Sequence, residues 1–196
     1  MEWREAEGAR WLEARLPGAV AAFTTRAFGS ARESLEPLRA IGVDPARVVS
    51  AWQVHGTDLV VHPCEGPAAE ADGHVLRQSG TVGLVFGADC LPIALAGPGG
   101  AAILHGGRRG LEQEIVLRGA AAVGARAATV GPGIGPCCYE VDLWAEARSQ
   151  LREAGVTEID CAELCTCCEP ELFFSHRRDG DPRRQAGLVW LEPGEG

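Results

Sequence analysis

The chain contains no lysine and no asparagine, and its one methionine is Met1. All 18 basic residues are arginine. Without lysine there is no phosphate-binding lysine of a P-loop and no Schiff-base mechanism. No Gly-x-Ser-x-Gly stretch occurs, which excludes the nucleophile elbow of the serine hydrolases. No apolar run approaches the roughly 20 residues that span a bilayer, so no membrane partner is expected. The first residues, MEWREAEGARWLEARLPG, are rich in acidic groups and lack an apolar core, and are not expected to act as a signal peptide.

Positive charge is also short. The 18 basic residues face 27 acidic ones, for a net charge of -9. A nucleic-acid backbone is therefore not an expected partner, and any bound anion has to rely on a local cluster of arginines. The chain has eight cysteines, including the adjacent pairs Cys137–Cys138 and Cys167–Cys168. In a chain of 196 residues with no secretion signal, reduced thiols in a cytoplasmic protein are the expectation. That length suits one domain over residues 1–196.

Short apolar stretches separated by glycine-rich turns predict strands at Ala19–Thr24, Val48–Gln53, Leu59–His62, Val82–Phe86, Ile93–Ala96, Ala101–Leu104, Ala127–Val130 and Leu188–Leu191. Several are unbroken apolar runs, the pattern of strands covered on both faces. Helices are predicted at Leu111–Val123, stopped by Gly124, and at Asp142–Ala154, with Asp142 as N-cap and Gly155 as stop. Asp44-Pro45 marks the start of a short helix, and Glu171–His176 reads as a helical turn. The fold class is α/β (α+β): a mixed-sheet sandwich with flanking helices.

Chemistry concentrates in three islands: AWQVHG (51–56), GADCLP (87–92) and ILHGGRRG (103–110). Each puts a metal-binding residue type, His55, Cys90 or His105, where an apolar strand meets a turn. Two neutral imidazoles and a thiolate suit zinc and leave a fourth tetrahedral position open, the arrangement of a catalytic site. The spacing matches no local zinc pattern, and the plainer alternatives are buried structural histidines and a small core cysteine.

The islands belong to a longer ordered series: FTTR (23–26), QVHG, ADG (71–73), GADCLP, HGGRRG, GPGIGPCCYEV (131–141), LCT (164–166) and FFSHRRDG (173–180). This series resembles the laccase-domain family, also called the multicopper polyphenol oxidase domain, over about Phe23 to Leu191. The resemblance implies zinc held by His55, Cys90 and His105, with copper as a second candidate metal. It further implies purine nucleoside phosphorylase activity on adenosine, inosine, guanosine or methylthioadenosine, with adenosine deaminase activity beside it. The implied fold is that of the catalytic domain of cytotoxic necrotizing factor. The expected partners are nucleoside and phosphate, in a monomer or homodimer.

Two departures touch the pocket wall. The family's HAGWRG reads HGGRRG, with Arg108 where Trp is usual, and the segment after FTTR is shortened. Arg26 and Arg109 are the candidate phosphate-binding groups, with a solvated arginine as the alternative for each. Asp89, beside Cys90, is a candidate to orient a metal ligand, or else caps a turn. Cys161, Cys165, Cys167 and Cys168 are spaced poorly for a second metal site, so that cluster is expected to be dispensable. His62, His74 and His176 read as surface or structural residues. The rival functions are a copper-dependent phenol oxidase, a thiol hydrolase using Cys90 and His105, and a binding protein whose pocket has drifted.

Overall fold

The computed structural model describes residues 1–64, 70–180 and 182–193. Among them the strands in chain order are β1 (Glu2–Ala6), β2 (Ala9–Leu16), β3 (Ala19–Thr24), β4 (Val48–Val49), β5 (Leu59–His62) and β6 (Gly73–Leu76). They continue with β7 (Val82–Gly87), β8 (Leu91–Gly97), β9 (Gly100–Gly106), β10 (Ala127–Val130), β11 (Glu158–Cys161) and β12 (Gln185–Leu191). The α-helices are α1 (Arg108–Glu112), α2 (Ile115–Val123), α3 (Leu143–Glu153) and α4 (His176–Asp179). No helix among the described residues is long and apolar enough to cross a membrane.

The strands form two six-stranded sheets, ordered β1-β2-β3-β12-β7-β4 and β11-β10-β8-β9-β6-β5. Both are mixed. Most pairs are antiparallel, while β4 joins β7, β5 joins β6, and β11 joins β10 in parallel. The period-2 alternation of a strand explains the unbroken apolar runs. In β8, Ile93 and Leu95 pack with α2 and α3, while Ala94 and Ala96 face the other sheet. In β9, Ala102 and Leu104 share the helix side and Ala101 and Ile103 the sheet side. The small alanines on the inner face let the first sheet's Phe23, Val85 and Val189 approach closely. The first sheet's outer face is covered in turn, with Trp11, Leu84 and Leu188 packed beneath Phe28 and Leu38 of two 3₁₀ segments.

Several expectations need correction. The strand expected over 48–53 stops at Val49, and Trp52 makes only an isolated bridge to Glu70. The helix expected over 111–123 is two helices, because Glu114 adopts a left-handed backbone (φ 65°) that α-helix cannot continue through. The turn expected at 171–176 is displaced: Ser175 caps α4 by accepting from the Arg178 N–H at 3.2 Å. β1, β2, β6 and β11 were not anticipated. β1 is charged and mostly exposed, which hides its alternation, and β6 is a short, fully buried segment interrupted by His74.

Leu104 is fully buried between β9 and α2. Leu104→Ala should cost about 2–5 kcal/mol, since the packed helix cannot collapse into the void. Urea unfolding measures it; a loss below about 1 kcal/mol would show that the helix layer is loosely packed.

Candidate metal centre

One end of the second sheet assembles the site. β8 and β9 are antiparallel, with Leu91 opposite Gly106 and Pro92 opposite His105. Cys90, the residue before β8, is therefore brought against the end of β9 that carries His105. On the other side of β9, Gly73 pairs with Leu104, so Asp72 lies next to His105, and the His105 N–H donates to the Asp72 carbonyl at 2.7 Å. The loop entering β5 brings in His55, since β5 starts beside β6 with Leu59 opposite Gly73.

The ligating atoms of His55, Cys90 and His105 all lie within 4.8 Å of one another. The two imidazole rings are 4.8 Å apart between centroids and cross at 70°. Tetrahedral zinc would need its nitrogen and sulfur donors about 3.3–3.6 Å apart, so this donor set fits the ion with small side-chain adjustments. Gly107 makes the approach possible. A Cβ there would fall 2.8 Å from His55 Cδ2 and 3.0 Å from Cys90 Sγ.

Asp72 orders two of the three donors. One carboxylate oxygen takes the His105 Nδ1 at 2.8 Å and the His55 N–H at 3.0 Å. The other accepts from the N–H groups of Val54 at 3.1 Å and Gly56 at 2.7 Å. His105 thereby donates through Nδ1 and turns Nε2 toward Cys90. The three backbone donors hold His55 in a left-handed conformation, φ 61°, that a histidine adopts only under constraint. Burial pushes the Asp72 carboxyl up, but the bonds from His105 and the loop outweigh it and hold the group below its usual range. Burial also works against ionising Cys90, yet His105 and His55 pull its thiol down to about 6. His105 is disfavoured as a cation by burial and lifted to about 9 by Cys90 and Asp72. These opposite shifts favour a thiolate–imidazolium pair when no metal is bound.

The triad opens into a cavity of about 640 Å³. Its wall carries Arg32, Arg108, Arg177 and Arg184, the aromatic rings of Phe86 and Tyr139, and His176. Arg108 and Arg177 converge on one carboxylate, reaching the two oxygens of Glu140 at 3.2 and 3.3 Å. Arg177 also lies 5.0 Å over the Tyr139 ring, and Arg32 lies 5.4 Å over Phe86.

Neither arginine expected to bind phosphate lines this cavity. Arg26 donates to the Pro170 carbonyl and stacks 5.3 Å over Phe174. Arg108 and Arg109 are both exposed on α1, but successive helical residues point about 100° apart, and Arg108 is the one on the cavity side. Asp89 does line the cavity, but its oxygens accept from the Thr166 hydroxyl and the Arg177 N–H, both at 2.7 Å. The carboxylate that bonds the candidate ligands His55 and His105 is instead Asp72, which the sequence offered only as part of ADG. His62 and His74 form a buried pair 3.0 Å apart, in keeping with a structural role, whereas His176 stands in the cavity wall.

The family model described as multi-copper polyphenol oxidoreductase laccase matches residues 26–142 and 140–192. The chain belongs to this laccase family. A protein of Streptomyces coelicolor named purine nucleoside phosphorylase is 34% identical over 192 residues, covering 79% of each chain. The Escherichia coli protein YfiH, which carries the same name, is 31% identical over 194 residues, covering 81% of this chain and 80% of its own. Among solved structures, YlmD from Geobacillus stearothermophilus superposes with a TM-score of 0.83 at 25% identity, covering 97% of this chain and 98% of its own. In this laccase-family chain Arg108, where the resemblance leads to the expectation of Trp, is a wall residue of the cavity.

Two predictions follow from Asp72 and the triad. Asp72→Asn replaces one acceptor oxygen by a donor facing backbone N–H groups, and should weaken zinc affinity about 10–100-fold. Competition with a chromophoric chelator reads this, and unchanged affinity would remove Asp72 from its positioning role. In protein stripped of metal, Cys90 should alkylate with a midpoint near pH 6, because a lowered thiol pKa keeps the reactive thiolate populated toward acid. A midpoint at the ordinary thiol value would show that the pair does not form.

Proposed function

We propose that this protein is a zinc-dependent purine nucleoside phosphorylase. The observation that carries the reading is the triad opening into a cavity walled by guanidinium groups, in a chain whose net charge otherwise repels anions. The names of its relatives point the same way. Arg108 and Arg177, which already close on one carboxylate, are assigned to phosphate, since paired guanidinium hydrogen bonds match an oxyanion. They replace Arg26 and Arg109 in that role. Phe86 and Tyr139 give the purine an apolar surface. Zinc bound by His55, Cys90 and His105 would supply a Lewis acid and a water of lowered pKa, the chemistry that adenosine deamination also requires.

In phosphorolysis a phosphate oxygen bonds to the ribose C1′ as the bond to the purine nitrogen breaks, and the leaving base takes up a proton. His176, the imidazole in the cavity wall outside the triad, is proposed as the group that stands near enough to hand it over. Adenosine, inosine, guanosine and methylthioadenosine are the proposed substrates. Multicopper phenol oxidation is disfavoured. Among the described residues the groups of three or more candidate ligands are this triad and a set of four cysteines, and His62 and His74 pair apart from the cavity.

A second reading has one observation in its favour: Asp72, His105 and Cys90 stand in the order of a cysteine-hydrolase triad. Metal removal separates the two, since hydrolysis through Cys90 would survive chelation and phosphorolysis would not. The direct test follows release of base from inosine and adenosine with and without phosphate. Losing a charge-assisted bond costs about 1.5–3 kcal/mol, so Arg108→Ala and Arg177→Ala should each lower the phosphate-dependent rate roughly tenfold to a hundredfold. Base release that ignores phosphate, or that neither substitution affects, would overturn phosphorolysis.

A further inference from the structure

Four cysteines outside the triad converge on one point. The Sγ atoms of Cys137, Cys138, Cys165 and Cys168 all lie within 4.8 Å of one another. Cys168 Sγ is 3.4 Å from both Cys137 Sγ and Cys138 Sγ. These separations are far longer than a disulfide bond, about 2.05 Å, and none of the eight cysteines, all of them among the described residues, is in one. A tetrahedral zinc tetrathiolate, with bonds of about 2.3 Å, spaces its sulfurs about 3.8 Å apart, inside the observed range.

The backbone around the thiols is organised in the same sense. Two turns face each other. In one, Cys138 and Tyr139 donate their N–H groups to the Gly135 carbonyl at 3.0 and 3.1 Å. In the other, Cys168 and Glu169 donate to the Cys165 carbonyl, both at 3.1 Å. The turns are fastened by an isolated bridge between Gly133 and Cys165, and the Gly135 N–H donates to Cys165 Sγ at 3.3 Å. Cys165 and Cys168 have the two-residue spacing of a zinc knuckle; Cys137 and Cys138 complete the set from the other turn. Spacing along the chain hid this site. The group weighed from spacing and set aside, Cys161, Cys165, Cys167 and Cys168, shares only Cys165 and Cys168 with the four that converge.

We propose that Cys137, Cys138, Cys165 and Cys168 form a second metal site, a tetrathiolate that binds zinc and clamps the two turns together. Each thiol that enters loses its proton to solvent as its sulfur bonds to the ion, so binding is redox-neutral. The site is separate in role from the triad. One clamped turn leads into Tyr139 and Glu140, and the other carries Thr166, which holds Asp89. The metal therefore braces the cavity wall and leaves the triad's ligands alone.

Metal content of the purified, zinc-replete protein tests the proposal. Wild type should hold about two zinc ions per chain. Cys90→Ala should retain about one, and adding Cys137→Ser and Cys168→Ser to it should leave about none. Because the double serine change can impair folding, the Cys90→Ala protein is also loaded with cobalt(II). The sulfur-to-metal charge-transfer and visible bands of a tetrahedral tetrathiolate should appear, and mercurial titration of the cysteines should abolish them. Wild type with about one zinc that Cys90→Ala loses, no tetrathiolate spectrum in Cys90→Ala, an intact mass showing a disulfide within the four, or an iron–sulfide chromophore would each overturn it.

Discussion

The Asp72 carboxylate is wholly buried and accepts four hydrogen bonds, three from the backbone of residues 54–56 and one from the His105 ring. A buried charge is tolerable only when it is this fully satisfied, and removing its partners would strand it at a cost of several kcal/mol. The interdependence runs both ways. The loop holds its left-handed His55 because the carboxylate gathers its N–H groups, and the carboxylate stays ionised because the loop and His105 surround it. Two metal-ligand candidates far apart in sequence are thus set by one side chain. That side chain is fixed in turn by sheet register, since its own N–H donates to the Asp58 carbonyl at 2.9 Å and its carbonyl accepts from His105. Slipping β6 by one residue against β9 would turn Asp72 to the opposite face and dismantle the centre.

Much of this was legible in advance, and the boundary of what was legible has a physical cause. Ala19–Thr24, Leu59–His62 and Ala127–Val130 coincide with β3, β5 and β10, because short apolar runs between turn residues have few other uses. Asp142 caps α3 through the Ala145 N–H as its position suggested. The triad followed from three residue types at strand ends together with a family resemblance. Contacts that depend on strand pairing were not legible. Asp72 looks like a turn residue until β6 is laid beside β9. Arg26 and Arg109 fit the chemistry of phosphate but not the direction, which a helix phase and a stacking contact with Phe174 decide. Cys137 and Cys138 gave no sign of their partners, because a clamp between turns some thirty residues apart leaves no local period.

Under the proposed function, with phosphate as a substrate, the cavity resolves an electrostatic conflict. A chain with a net charge of -9 that binds phosphate must gather cations locally and keep them from pairing away their charge. Arg32 is stacked on Phe86 and Arg177 on Tyr139, which orients each guanidinium, and Arg177 shares the Glu140 carboxylate with Arg108. Arg108 is more fully engaged, by Glu112 at 2.8 Å as well as by Glu140. Such exposed pairs are worth little, about 0–1 kcal/mol, so an incoming dianion can displace the carboxylates at small cost. Under the proposed reading, the change from the family's Trp to Arg108 exchanges stacking surface for charge at that edge of the cavity.

The two halves of the cavity are built on different principles. Its floor lies at the ends of β8 and β9, where strand pairing and a fully packed core leave Cys90 and His105 little freedom. Part of the wall comes from Ile134 and Tyr139 and from His176 and Arg177 at the start of α4, backed by the turn at 165–168, whose Thr166 bonds the wall residue Asp89. What holds that wall is polar: Asp89 bridges Thr166 to the Arg177 N–H, and Arg178 reaches the carbonyls of Thr166, Cys167 and Phe173 at 2.8–3.0 Å. Hydrogen bonds of this kind contribute about 1 kcal/mol each and tolerate adjustment far better than a close-packed sheet does. A floor fixed by strand pairing and a wall held by hydrogen bonds and, as proposed, by a metal clamp separate the centre from the surface that would meet a ligand. Substitutions such as the one at position 108 can then reshape what binds without disturbing the centre beneath it.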